Sequence, residues 1–295
     1  AHPIQYRAEE RLFTPTEVKL LMESVKGIHS LSSEQPEKLH KKLESLVSNP
    51  TAQKIRERLA VVGGFKAYWS KRRGKDILLT NIEVVDKALD EKKQIEFRYY
   101  WYSMQGKPTY PRDKSHKHVV SPLVRVLEKG FYYLVALDEE GYIKHFRMDR
   151  MTNTAIVKKK AQSSYENEYD DKRWAEYVNS SFGLGLTYNP YNYKRWGEYH
   201  LHEKGMNNRC YTVHMQLTRD LVGVIMDRFG SNVIITPYDK GHFTAVVKVY
   251  HNAQFVSWIL GLGNKVKILE PERLVDDISY YARATGRWHM RVRGD

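Results

Sequence analysis

HVVSPLVRVLEKGFYYLVALDEEGYIKHFRMDR, residues 118–150, decides the fold of the middle of this chain. Short apolar and aromatic runs separated by glycine-containing turns predict three strands here, at 118–126, 131–137 and 142–148. Successive side chains of a strand face opposite sides of its sheet, so one face can pack while the other collects charge. On the third strand His145 and Arg147 share a face, which we interpret as a candidate anion site.

Elements on either side extend this stretch into a small domain. Alternation predicts further strands at 95–99 and 154–158, and Asn81 is expected to cap a helix before the first of them. Five short strands in about 65 residues, preceded by a helix, favour a strongly bent sheet or an SH3-like barrel.

The rest of the chain divides into segments that differ in hydrophobic periodicity and composition. Helical stripes predict a helical segment over residues 1–80, and a polar, Tyr- and Asn-rich stretch predicts a connector and arm over 161–209. The order β-α-β-β-α-β after residue 210 is ferredoxin-like, with parallel pairing across its helices expected from the right-handed crossover rule. We therefore expect an α+β protein with four parts, at 1–80, 81–160, 161–209 and 210–295.

Composition limits the class of function. With 48 Lys and Arg against 35 Asp and Glu the formal charge is +13, which favours nucleic acid, nucleotides or anionic surfaces as partners. Residues 91–160 hold 15 of the basic and 8 of the acidic residues, so part of the excess is local. A single cysteine excludes an intramolecular disulfide and fits a reducing cytoplasm. No apolar run approaches the roughly 20 residues that cross a bilayer, so no membrane partner is expected.

The cationic residues near the end of the quoted stretch form the main site hypothesis. His145, Arg147 and Arg150 could bind a phosphate, because the planar guanidinium matches it bidentately and the imidazole adds a donor. Asp149 could orient one guanidinium, and the alternative interpretation is a structural Arg-Asp pair that locks a turn. Lys144 is expected at the rim.

A second group of candidates lies on neighbouring strands. His118 is preferred to Arg125, since seven residues separate them and a regular strand turns them to opposite faces unless a bulge intervenes at Pro122. Tyr99, Tyr132 and Tyr133 offer flat faces on which bases can stack. Alternation lets either Tyr132 or Tyr133 point outward, while the other belongs to the core.

The remaining motifs give little indication of metal binding or catalysis. His200 and His202 have the spacing of two metal ligands on a strand, but a solvent-exposed pair is the simpler interpretation. Cys210 has no evident catalytic partner, and no hydrolase, metalloprotease or nucleotide-loop motif is visible. We expect no cofactor, no metal and no enzymatic activity. A phosphoester-processing enzyme that uses His145 and Asp149 ranks last among the hypotheses.

Several segments together resemble the WYL-domain bacterial transcriptional regulators. Tyr132-Tyr133-Leu134 is similar to the triplet that names the family, with Tyr in place of Trp. The segments IEFRYY (95–100), HVVSPL (118–123) and HFRMDR (145–150) follow in the family's order. FVSWILGLGNKVKILEPERL (255–274) is similar to the extension that usually follows the domain. The resemblance implies an Sm-like barrel with a ligand site on the HFRMDR strand.

The resemblance also implies a function. We expect the effector-sensing and dimerisation portion of a DNA-binding regulator, whose WYL domain binds a nucleotide or a single-stranded nucleic acid. Members typically begin with a winged helix-turn-helix, and no such unit precedes Phe13. The DNA reader is therefore expected to lie outside this chain, which begins at Ala1 without Met and looks like a fragment. A homodimer is expected, with aromatics of 186–199 as a candidate interface. The alternative is a stand-alone nucleic-acid-binding protein that switches nothing.

Overall fold

Helices and antiparallel sheets make up both halves of this α+β protein. The computed structural model describes residues 12–32, 34–61, 71–72, 75–105, 107–110, 116–141, 143–162, 210–230, 233–250 and 253–290. Contacts divide the chain into two compact units, Ala1–Glu139 with Phe146–Gln162, and Glu140–His145 with Ser163–Asp295. The predicted arm from residue 163 onwards, including His200 and His202 and the candidate interface 186–199, lies outside the described residues.

Three short helices form the N-terminal part. They are α1 (Pro15–Gly27), α2 (Gln35–Glu44) and α3 (Asn49–Glu57). A capping box starts α1: Thr14 Oγ1 accepts from the amide of Glu17, whose carboxylate accepts from the amide of Thr14. Val18, Met22 and Ile55 are buried together and form the small core of this segment.

Helix α4 (Ile77–Asp90) has Asp76 as its N-cap, so the prediction that Asn81 caps this helix is wrong. Asn81 lies inside the helix and is buried. Its side-chain amide donates to the carbonyls of Met148, at 2.6 Å, and Met151, at 2.9 Å. Asn is disfavoured inside helices because its side chain competes for backbone groups. Here two carbonyls distant in sequence bind the amide and make the position favourable.

Five strands form the central sheet in the spatial order β8-β7-β6-β3-β9. Their bounds are β3 (Lys93–Tyr99), β6 (His118–Glu128), β7 (Phe131–Leu137), β8 (Ile143–Arg147) and β9 (Met151–Lys160). Short ribbons flank it: β1 (Lys71–Arg72) with β2 (Lys75–Asp76), and β4 (Trp101–Tyr102) with β5 (Pro108–Thr109). Strand β3 pairs antiparallel with β6 and β9, and β6 with β7. The register of β6 shifts between Pro122 and Val124, which is the bulge considered from the sequence.

The C-terminal sheet has the spatial order β11-β12-β10-β13. Its strands are β10 (Cys210–Thr218), β11 (Ile234–Pro237), β12 (His242–Tyr250) and β13 (Val266–Glu270), and its helices are α5 (Val222–Phe229), α6 (Ala253–Gly261) and α7 (Glu272–Met290). All of its pairs are antiparallel, so the expected parallel pairing is wrong. Strand β12 lies between β10 and β11, which run parallel without touching. Met215, Phe243 and Phe255 are buried in the core of this sheet and its helices.

Candidate functional site

The turn between β8 and β9 carries the predicted arginines. Residues Met148–Arg150 form one 3-10 turn. The amide of Asn81 binds the carbonyl of Met148 and that of Met151, just past the turn, and the Tyr100 hydroxyl donates to the carbonyl of Asp149 at 3.2 Å. Burial raises the pKa of Tyr100 well above its ordinary value, so this hydroxyl keeps its proton. Because helix α4 and the end of β3 both hold the turn, the backbone that presents Arg150 is fixed.

Arg147 makes the structural pair that the sequence offered as an alternative. Its Nε and Nη2 atoms donate to the two carboxylate oxygens of Asp149, at 3.1 and 2.7 Å. The Asp149 side chain is fully buried, and that of Arg147 is 17% exposed. Burial opposes the charge of Arg147, but the hydrogen bonds and charge of Asp149 outweigh it and raise the arginine's pKa. The guanidinium also lies 3.8 Å from the centroid of the Phe131 ring. Arg147 is therefore held in place by two partners.

Arg150 and Arg98 differ from Arg147 in lying on tyrosine rings instead of pairing with a carboxylate. The guanidinium carbon of Arg98 lies 4.4 Å from the ring centroid of Tyr110, and that of Arg150 lies 5.3 Å from that of Tyr102. The Nε atoms of both arginines are buried without a hydrogen-bond partner among the described residues. Within the same part of the chain, no carboxylate forms an ion pair with either guanidinium. Both cations keep their charge available for a ligand.

Strand register explains why these side chains meet. Arg98 lies opposite Thr152 in the register of β3 and β9, and the amide of Tyr100 donates to the carbonyl of Arg150, so the end of β3 is held beside the turn that carries Arg150. The Tyr100 ring then contacts two more tyrosine rings edge-on, with centroids 5.8 Å away at Tyr102 and 6.0 Å away at Tyr110. We call this group the double-arginine cluster; its members are Arg98, Tyr100, Tyr102, Tyr110 and Arg150.

Sequence reasoning missed four members of this cluster: Arg98, Tyr100, Tyr102 and Tyr110. The alternation of Arg98, Tyr100 and Tyr102 was a usable signal, because residues two apart share a strand face. Tyr110 gave no such signal, since it lies just beyond the short β4/β5 ribbon and reaches Arg98 only through the fold.

The structure distinguishes the paired tyrosines. Tyr132 is partly exposed and lies on the side of Arg125, whose guanidinium carbon is 5.9 Å from its ring centroid. Arg125 itself donates to Asp86 of helix α4 at 2.6 Å. Tyr133 is buried, and burial raises its pKa, while the nearby charge of Arg147 acts in the opposite direction. Tyr133 therefore belongs to the side of the Arg147 turn, and Tyr132 to the other.

Tyr99 and His118 lie in an aromatic group on the opposite face of β3 from the cluster. The His118 ring stacks on Phe97 at 5.5 Å and packs against Phe146 at 5.2 Å, and the Tyr99 ring contacts Phe97 and Phe146 edge-on. Tyr99 is buried, and burial raises its pKa to about 12. Its hydroxyl oxygen accepts the amide hydrogen of Arg147 at 3.1 Å. Tyr99 therefore helps to hold the Arg147 backbone.

Burial also sets the protonation state of His145. Its side chain is only 6% exposed, and burial lowers its pKa from 6.5 to about 4. The imidazole is therefore neutral near pH 7 and adds no positive charge to the arginines. Lys144, next to it on β8, is partly exposed.

Metal binding would need several His, Cys, Asp or Glu side chains at one place. In the part of the chain that the structure describes, no group of three or more such side chains could hold a metal ion. The side chain of Cys210 and both arm histidines lie outside that part. Within the same described ranges, no helix is long and apolar enough to cross a membrane.

Comparisons with known proteins match two domain models to this chain. A WYL domain model matches residues 80–156, and a WCX domain model matches residues 210–285. The search of curated proteins found no match.

Two solved structures are similar to the chain at low identity. Proteasome accessory factor B/C (PafBC) of Arthrobacter aurescens is 19% identical, with a TM-score of 0.31, over 90% of this chain and 34% of that one. The present chain thus spans about a third of the length of that protein. A CRISPR Cas-related protein is 14% identical, with a TM-score of 0.39, over 97% of this chain and 76% of that one.

Proposed function

This chain carries a WYL domain followed by a WCX domain, and from that premise we propose that it is the effector-sensing part of a transcription regulator. The effector is an anionic ligand of the nucleotide class, either a nucleotide or a short single strand of nucleic acid. It binds on the face of the double-arginine cluster. The role is one of binding and switching, without catalysis.

One observation carries this proposal: two guanidiniums lie on tyrosine rings, with no carboxylate partner among the described residues. A guanidinium binds phosphate oxygens bidentately, and stacking against an aromatic ring limits the orientations that it must give up on binding. Tyrosine rings beside it also offer surfaces on which bases stack, at about 1 to 3 kcal/mol per base. Phosphate and base recognition therefore come from the same few residues.

Finer features of the fold and assembly belong to the same proposal. A bent, Sm-like barrel is supported by five short strands and the bulge in β6. A ferredoxin-like C-terminal domain is supported by the spatial order β11-β12-β10-β13. We further propose a homodimer that acts in the cytoplasm, because regulators that read two half-sites usually pair. Duplex DNA would then be contacted through a separate reader domain.

The proposal is tested by fluorescence anisotropy with a labelled oligo(dT) of about ten nucleotides. Arg98→Ala and Arg150→Ala should each weaken binding at least about tenfold, since each removes a charge-assisted phosphate contact. Arg125→Ala is the matched control: it removes the same charge, but this guanidinium already pairs with Asp86. Its affinity should stay within about twofold of that of wild type.

A different result would favour the stand-alone alternative. If all three substitutions weakened binding equally, the net charge of +13 would govern binding and the cluster assignment would be wrong. The salt dependence of affinity gives a second test. Each phosphate contact that is removed reduces the slope of log affinity against log salt concentration by about one. Absence of binding to oligo(dT) and to a panel of nucleotides would overturn the proposed effector class.

A further inference from the structure

A buried segment joins the helical N-terminal part to the central sheet. We call residues 28–32 the seam; Ser30, Leu31 and Ser32 within it are at most 2% exposed. The amide and the hydroxyl of Ser30 both donate to the carbonyl of Gly130, at 3.1 and 3.3 Å. The amide of Ser32 donates to Asp76 Oδ2 at 3.0 Å, while Oδ1 of the same carboxylate caps helix α4. The helical part is thus held at the turn before β7 and at the start of α4.

Phe131, the first residue of β7, lies between the seam and the arginine turn. Its ring centroid is 5.8 Å from that of His29, at an interplanar angle of 53°. The guanidinium carbon of Arg147 lies 3.8 Å from the same ring. One side chain therefore contacts both a seam residue and a cation of the site.

Arg147 and Arg150 share one electrostatic environment. Both guanidiniums lower the pKa of the buried Tyr99, which burial itself raises. They also flank Asp149, which Arg147 binds through two of its five N–H donors. Arg147 directly precedes the 3-10 turn Met148–Arg150, which ends at Arg150, so the charge of a phosphate bound by Arg150 acts within one short turn of Arg147.

We propose that the stack Arg147–Phe131–His29 couples ligand binding to the seam, so that an anionic ligand loosens the packing of the N-terminal helices on the central sheet. This inference rests on the proposed function and adds its route of regulation. The negative charge of a bound phosphate offsets the positive charge of Arg147 and weakens its cation–π contact with the Phe131 ring, while the guanidinium stays on Asp149. The ring is then held less firmly against His29. Since the ligand interacts differently with the tight and the loose seam, it shifts the balance between them.

Hydrogen exchange of the full chain tests the coupling, read by mass spectrometry on peptides that cover the seam. With saturating oligo(dT), seam amides of wild type should exchange about three to five times faster. In Phe131→Leu, oligo(dT) should bind within about threefold of wild type, but seam exchange should no longer respond to it. His29→Leu leaves Phe131 in place and should lose the response in the same way. Tyr238→Leu, at an exposed turn of the C-terminal sheet, should respond like wild type.

Each other outcome has a distinct meaning. A ligand response in Phe131→Leu or His29→Leu equal to that of wild type overturns the coupling. The coupling is also overturned if the seam amides of wild type exchange at the same rate with and without bound oligo(dT). The proposed function then stands. If Phe131→Leu loses most of its affinity, Phe131 is a ligand contact and the relay is wrong. If wild type does not bind at all, the proposed function itself fails.

Discussion

The glycine before β7 allows the close approach between the seam and the central sheet. Gly130 has a φ of +79°, and a Cβ atom built on it would lie 2.4 Å from the carbonyl oxygen of Gly27 and 2.4 Å from Cδ2 of His29. Gly141, in the next turn, has a φ of +86° with nothing within 4 Å of such an atom. The two positions share the left-handed backbone and differ in what surrounds them. Substituting alanine at each position therefore separates the cost of the left-handed backbone, which both variants share, from the cost of the steric contact, which only Gly130→Ala meets.

The expected magnitudes follow from these distances. Left-handed backbone costs an alanine about 1 kcal/mol, in both variants. At Gly130 the new methyl group must also move a backbone carbonyl, which cannot rotate away as the His29 ring can. Overpacking of that kind costs about 1 to 3 kcal/mol, and the two bonds from Ser30 to the Gly130 carbonyl weaken with it. We expect Gly130→Ala to open the seam by about 2 kcal/mol more than Gly141→Ala does.

Exchange of the Ser30 amide is the most direct assay, because that amide donates to Gly130 across the seam. A change of about 2 kcal/mol corresponds to roughly 30-fold faster exchange. Gly141→Ala should leave the rate at Ser30 nearly unchanged. Equal rates in the two variants would refute the reasoning, since the contact with Gly27 would then have no energetic weight.

Two further predictions concern the turn and its strand. Asn81→Ala should lower the free energy of unfolding in denaturant by about 2 kcal/mol relative to Glu83→Ala on the exposed side of α4, because two buried carbonyls lose their donor. As the pH falls from 6.5 towards 4, the unfolded chain protonates at His145 before the folded chain does. Stability should therefore drop by about 2 kcal/mol by about pH 5, with less loss in His145→Gln.

The central strands could be predicted because their signals are local. The ranges 118–126, 131–137 and 142–148 were expected, and β6, β7 and β8 occupy His118–Glu128, Phe131–Leu137 and Ile143–Arg147. Alternation of side chains and the intervening glycine turns act within a few residues of each strand. The helical segment expected over residues 1–80 rests on the same kind of local periodicity, and α1 to α3 lie within it. Domain-level similarity to the WYL and WCX models then follows from segments in the expected order.

Features that depend on distant partners were not predictable in this way. Asn81 is of a residue type that often caps helices, but its two carbonyl partners lie 67 and 70 residues further along the chain, where local sequence does not reveal them. Parallel pairing was expected after β10 because the crossover rule concerns direction, whereas β12 inserts between the two strands. The order of strands in a sheet and the hydrogen-bond partners of a buried side chain are both set by the whole fold.

The candidate site shows the same division. Arg147 and Arg150 stood out through the spacing of a short motif, but their different partners depend on long-range packing. Alternation left Tyr132 and Tyr133 undecided, and their different burial and the contact of Tyr132 with Arg125 distinguish them in the fold. The burial that keeps His145 neutral cannot be inferred from its strand pattern, because burial depends on what the rest of the fold packs against the side chain.

The two kinds of arginine suit different parts of a sensor. Pulling Arg147 away from Asp149 would leave a fully buried carboxylate without its partner, a change that typically costs about 3 to 5 kcal/mol. A ligand that relied on Arg147 for affinity would lose most of what it gained. Arg98 and Arg150 carry no such penalty within the described structure, so they are the better source of binding energy. Arg147, held in place but sensitive to nearby charge, is then suited to pass the presence of a phosphate to Phe131 and the seam.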